Sequence, residues 1–97
     1  MEQTERIKRM EQQFNKSASA LMQLSAALDQ LQASQEAIKE LSDYYGSETW
    51  KQDFADDESG RLPQDLQRGV LSEDAIWNLL EDYRELKLRM QSFVNKQ

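Results

Sequence analysis

Between about Thr4 and Tyr45 apolar residues recur at alternating steps of three and four, with neither Pro nor Gly to interrupt them. Ile7, Met10, Phe14, Leu21, Leu24, Leu28, Leu31 and Ile38 take the a and d places of one heptad frame that ends at Tyr45. The spacing predicts a single long helix over about 4–45. Ser17, Gln35 and Ser42 place polar groups on the seam, more than a dedicated parallel coiled coil usually accepts, while Ala18, Ala20, Ser25 and Ala27 flank it with small side chains. Small flanks let a second helix approach closely, so antiparallel pairing fits the pattern better.

Gly46 stands where a left-handed residue would close that helix, and Ser47 is placed to cap a new one with Glu48 in its first turn. A short helix over about 47–57 follows, with Trp50 and Phe54 on one face. Gly60, Pro63 and Gly69 break any regular element over 58–71, which reads as an ordered loop with one helical turn at 64–67 and with Leu62, Leu66, Val70 and Leu71 buried. The last helix is predicted over about 73–95. Ser72 supplies its hydroxyl cap, Glu73 and Asp74 suit the positive end of the dipole, and Leu71 faces Ile76 as a hydrophobic staple. Its apolar face comprises Ile76, Leu79, Leu80, Tyr83, Leu86, Met90 and Phe93, and Arg84, Lys87, Arg89 and Lys96 collect towards its C-terminus. The expected architecture is all-α: one domain over 1–97, a long antiparallel helical hairpin with a short third helix and an ordered connector.

Chain length limits the core. A chain of 97 residues buries roughly 60–65% of the surface its unfolded form exposes. With 38% apolar and 31% charged residues and eight aromatics, the chain still lies outside the range of disorder. The absence of Cys and His removes thiolate chemistry, the usual general base and the commonest metal ligands. The expectation is therefore a protein that is not an enzyme and carries no cofactor, and no small-molecule substrate is identified. The first residues lack the apolar core of a secretory signal and no apolar run reaches the length of a membrane span, which makes the cytoplasm the expected compartment. A net charge of −6 disfavours a phosphate grip, so neither nucleic acid nor membrane is an expected partner.

The central strings YYGS with a Trp three residues on, then GRLP, then RGVLSEDA, set behind a heptad-like first helix, resemble a family of small bacterial proteins catalogued as domain of unknown function 4298. The resemblance covers essentially the whole chain and implies a helical domain and a bacterial source, with no activity attached.

Three constellations invite a functional reading. Asp53, Asp56, Asp57 and Glu58 could hold a divalent cation, but if Gly60 is the loop glycine of an EF-hand, Ala55 and Leu66 fall where the first and last ligands belong. An acidic helix end paired to Arg61 or Arg68 accounts for the same residues. Residues 43–58 carry six acids against Lys51, so a cation or a basic protein is the alternative partner. Trp50, Trp77, Tyr45 and Tyr83 lie on faces assigned to the core, with Tyr44 outside it, which argues against an aromatic platform for bases. The third is the seam itself. At about 41 residues the first helix would run roughly 60 Å against roughly 35 Å for the last. If the last helix starts level with Gly46, Ile7, Met10, Phe14 and Leu21 become candidate interface residues for a protein partner such as a second copy in a homodimer. A short helix that descends about three turns first would instead bring Phe93 opposite Phe14 within one chain.

Overall fold

The computed structural model describes residues 2–97. Helix α1 spans Gln3–Ala33, α2 Gln35–Tyr44, α3 Glu48–Glu58 and α4 Ala75–Lys96, with a 3-10 turn at Gly69–Leu71 ahead of α4. No strand occurs among the described residues, and the protein is all-α. The chain divides into two units, one ending at Gln35 and one running from Glu36 to Gln97.

The first unit is α1. Its start lies one residue ahead of expectation because Glu2, in an extended conformation, caps it: the carboxylate accepts from the backbone N–H groups of Thr4 at 2.9 Å and Glu5 at 3.2 Å. Those two bonds lower the Glu2 pKa from its ordinary value, as a carboxylate at the positive end of a helix requires. No residue of α1 is buried.

The single helix expected over 4–45 is interrupted at Ser34. There the hydroxyl donates to the Gln30 carbonyl at 2.9 Å, and the backbone N–H is shared between the Gln30 and Leu31 carbonyls. The Gln35 side-chain amide donates to the Leu31 carbonyl at 3.1 Å, the acceptor that a continuous helix would offer to its backbone N–H. Side-chain donors thus compete for the ladder at two adjacent positions, which is how Ser and its polar neighbours break a helix without Pro or Gly.

The second unit follows the local signals closely. Gly46 adopts φ 78° after α2, and the Ser47 hydroxyl caps α3 by accepting from the Trp50 N–H at 3.1 Å. Helix α3 closes on Gly60, φ 72°, with Arg61 N–H donating to the Asp56 carbonyl and Gly60 N–H to the Asp57 carbonyl, the paired bonds of a Schellman end. In the connector the turn falls at 63–66, closed by Leu66 N–H to the Pro63 carbonyl at 3.3 Å, and the 3-10 turn is an element the periodicity did not announce.

Two side chains form the buried core among the described residues, Leu71 at 5% and Ile76 at 2% exposure. They are the expected staple pair. Both α3 and α4 pack on the 3-10 turn that carries Leu71. The wider core drawn from periodicity is corrected: Leu66, Val70, Leu79, Leu86 and Phe93 are exposed, and Leu62, Leu80, Tyr83 and Met90 are half-buried. A faced pattern needs an opposing layer to become a core, and in this unit the turn supplies one only for Leu71 and Ile76.

Helix α4 begins at Ala75, two residues later than expected, so Glu73 and Asp74 precede it instead of forming its first turn. The N-cap position falls on Asp74, whose side chain makes no capping bond, while the Ser72 hydroxyl two residues earlier accepts from the Ala75 N–H at 3.1 Å and so holds the first N–H of the helix. Replacing Ser72 with Ala should lower stability by about 0.5–2 kcal/mol, measured as the urea midpoint. An unchanged midpoint would show that this hydroxyl contributes nothing to the start of α4.

Candidate functional site

The side chains with most partners cluster around α3. Ser47 fixes the first turn, and from it Trp50 and Phe54 project one helical turn apart. Their rings stack at 5.3 Å with 24° between planes, and Tyr45 meets Trp50 edge-on at 5.2 Å. The Trp50 indole N–H donates to the Val70 carbonyl at 3.0 Å, and the Tyr45 hydroxyl donates to the Glu73 carbonyl at 2.9 Å. These aromatics bind the connector through its backbone. Phe54 covers one face of Trp50 and Tyr45 meets the same ring edge-on, so Trp50 is engaged in packing within the unit. Trp77 is half exposed and belongs to a different stretch of surface.

The acidic residues are engaged from within. Asp53 accepts from the Tyr44 hydroxyl at 2.6 Å. Asp56 accepts from the Gln52 amide at 3.0 Å and pairs with Arg61 at 3.5 Å, while Asp57 pairs with Arg68. Arg68 also donates to the Pro63 carbonyl and, at 3.3 Å, to the Leu66 carbonyl, so one guanidinium holds the 63–66 turn against the end of α3. Glu58 is exposed. Among the described residues no three acidic side chains converge as a metal set. The cluster Asp53, Asp56, Asp57 and Glu58 is a helix end neutralised by its own loop.

Tyr44, which the periodicity left off the core, is half-buried. Burial, then the hydrogen bond to Asp53 and the charge of that carboxylate, push its phenol up to about 12. Two open grooves flank these elements. One, of ≈ 430 Å³, is walled by Leu41, Val70, Ile76 and Leu79 among others and has no titratable side chain in its lining. The other, of ≈ 820 Å³, runs beside Ala37, Leu41, Tyr44 and Thr49 with Glu40 and Asp43 at its edge. Asp43 is already paired with Lys39 at 2.8 Å. Neither wall assembles an acid, a base and a nucleophile, and both offer mainly apolar surface. At the basic end, Arg84 pairs with Glu81 at 3.0 Å and Lys87 lies 4.4 Å from the centre of the Tyr83 ring, so two of the four cations have local partners.

Of the interface residues named from sequence, Ile7, Met10, Phe14 and Leu21 all lie exposed on α1, Phe14 and Leu21 at 69%. Leu24 and Leu28 continue the same face, also exposed. The family model described as "Domain of unknown function (DUF4298)" matches residues 7–93, from Ile7 near the start of that face to Phe93 on α4. The chain belongs to the DUF4298 family. No curated protein matches it, and no solved structure matches it. The strings that carry the family resemblance are the ones this site uses: YYGS provides Tyr44, Tyr45 and the Ser47 cap, GRLP the Schellman glycine and the Pro63 carbonyl, and RGVLS the Arg68 clamp, the Val70 acceptor and the Ser72 cap. Sequence reasoning anticipated the pairing of the acidic helix end with Arg61 and Arg68 but missed the bonds from Arg68 to the Pro63 and Leu66 carbonyls and the Val70 acceptor. Both act across a loop, where no periodicity marks them.

Two outcomes are expected. Trp50→Ala should cost about 3 kcal/mol, through lost ring packing and the lost bond to the Val70 carbonyl. A loss under about 1 kcal/mol in urea unfolding, where surface changes fall, would rule out the clamp. For Tyr44 the folded pKa lies above the ordinary value of 10.0, so the folded chain holds this proton more tightly. That contribution is complete below about pH 10 and is lost as pH rises towards 12. Tyr44→Phe should flatten the decline in urea midpoint across this window relative to wild type, and parallel curves would contradict it.

Proposed function

We propose that this protein is a non-enzymatic helical interaction module, with the apolar seam of α1 as its contact surface, working in the bacterial cytoplasm. The observation that carries the reading is the exposed run Ile7, Met10, Phe14, Leu21, Leu24 and Leu28 along a helix that is a unit by itself. Contiguous apolar surface of this extent marks an interaction site on a soluble protein. An amphipathic helix with small flanking residues is a standard half of a helix pair. A chain free of Cys suits a reducing compartment, and among the described residues no helix is long and apolar enough to cross a membrane. The acidic segment is the weaker candidate for partner binding, since three of its four acids already have internal partners.

Quantitative affinity capture from the native cell tests the reading, comparing wild type with Leu21→Glu/Leu24→Glu. Partners that use the seam should be depleted at least tenfold by the double variant. An identical set of captured proteins at equal abundance would overturn the assignment of the seam.

A further inference from the structure

The occupant of this seam follows from its length, its charge and its register. Within α1 the apolar a and d positions run from Ile7 to Leu31, two residues short of its end at Ala33, and the frame resumes only at Ile38, beyond the Ser34 interruption. The seam therefore lines nearly all of α1, as a helix that pairs along its length requires. The charge along it is lopsided. Residues 5–16 hold Arg6, Lys8, Arg9 and Lys16 against Glu5 and Glu11, a net +2, whereas residues 17–33 hold Asp29 as their one charge, a net −1.

We propose that α1 pairs with α1 of a second copy of this chain in an antiparallel homodimer whose two-fold axis passes beside Ala18 and Ala20; the proposal rests on the seam being the contact surface. A parallel pair would stack the cationic half on itself. The antiparallel pair sets each cationic half beside the half that carries Asp29. One register gives every apolar seam position but Leu21 an apolar partner: Ile7 faces Leu31, Met10 faces Leu28, Phe14 faces Leu24, and Leu21 meets Ser17 next to the axis. Sliding by one heptad in one direction leaves Leu28 and Leu31 unopposed, and in the other direction pairs Ile7 with Ile38, beyond the end of α1. In the favoured register the axis lies at the level of Ser19, and Ala18 and Ala20 of both copies flank it one residue to either side, so the smallest flanking side chains fall where the two backbones cross.

The natural chain contains no Cys, so single substitutions give unambiguous cross-links. Wild type should sediment as a dimer at tens of micromolar. Under mild oxidation Ala18→Cys should link to itself, since the two copies of residue 18 lie on the same side of the pair, each one residue from the level of the axis. Ile7→Cys and Leu31→Cys should each stay unlinked alone and should link when mixed in equal amounts. Circular dichroism on each variant keeps loss of folding separate from loss of pairing. A wild-type monomer overturns the proposal, and a hairpin in which α4 covers the seam within one chain would give that result. Ile7→Cys linking to itself indicates a parallel pair, which overturns the antiparallel arrangement and leaves the interaction-module reading standing. A dimer in which Ala18→Cys or the mixture fails to link places the crossing elsewhere and overturns the register.

Discussion

Trp50 spends both of its N–H groups on tying segments together. Its backbone N–H goes to the Ser47 hydroxyl, which fixes where α3 begins, and its indole N–H goes to the Val70 carbonyl, which fixes the 3-10 turn. Without that turn α3 and α4 lose the element on which both pack, and Leu71 loses the position that buries it. The Ser47 hydroxyl extends the same chain of bonds by donating to the Tyr44 carbonyl at 2.6 Å. A unit with two buried side chains draws its order from such directed polar contacts, because the apolar area it removes from water is too small to specify one arrangement.

The connector has an electrostatic origin as well. Asp56, Asp57 and Glu58 occupy the last turn of α3, where backbone carbonyls already present negative potential and acids are unfavourable. The chain answers this within the next ten residues. Arg61 pairs with Asp56, Arg68 pairs with Asp57, and the backbone between them folds so that Arg68 also satisfies the Pro63 and Leu66 carbonyls. The acidity that invites a cation-binding reading is better understood as the cause of the loop's shape.

What the sequence disclosed was what local chemistry decides. Ser47, Gly46 and Ser72 act within three residues of themselves, and each performs the role its type and position imply. The interruption at Ser34 was hidden because Ser and Gln also occur inside helices, and only the geometry of their side-chain bonds to Gln30 and Leu31 distinguishes a break from a solvated face. Burial was overestimated at Leu66, Val70, Leu79 and Phe93 for a different reason. Periodicity identifies a face, and whether that face becomes a core depends on an opposing layer that periodicity cannot supply.

Helix α1 lacks an opposing layer within its own unit as well. An isolated helix is marginal in water because each residue fixed gains one hydrogen bond against its lost conformational freedom. Helix α1 is 31 residues long and buries none of them, so within its own unit burial contributes little to its order. Its favourable terms are local: the Glu2 cap, the Ala and Gln content and the spacing of its charges. Apolar residues held at a and d positions lower solubility and add little to a helix that stays exposed, whereas polar residues there would serve a solvated helix better. Under the proposed use of the seam, covering it would convert that liability into the missing stabilisation, and the folding of α1 would be coupled to its association and to the concentration of whatever covers it.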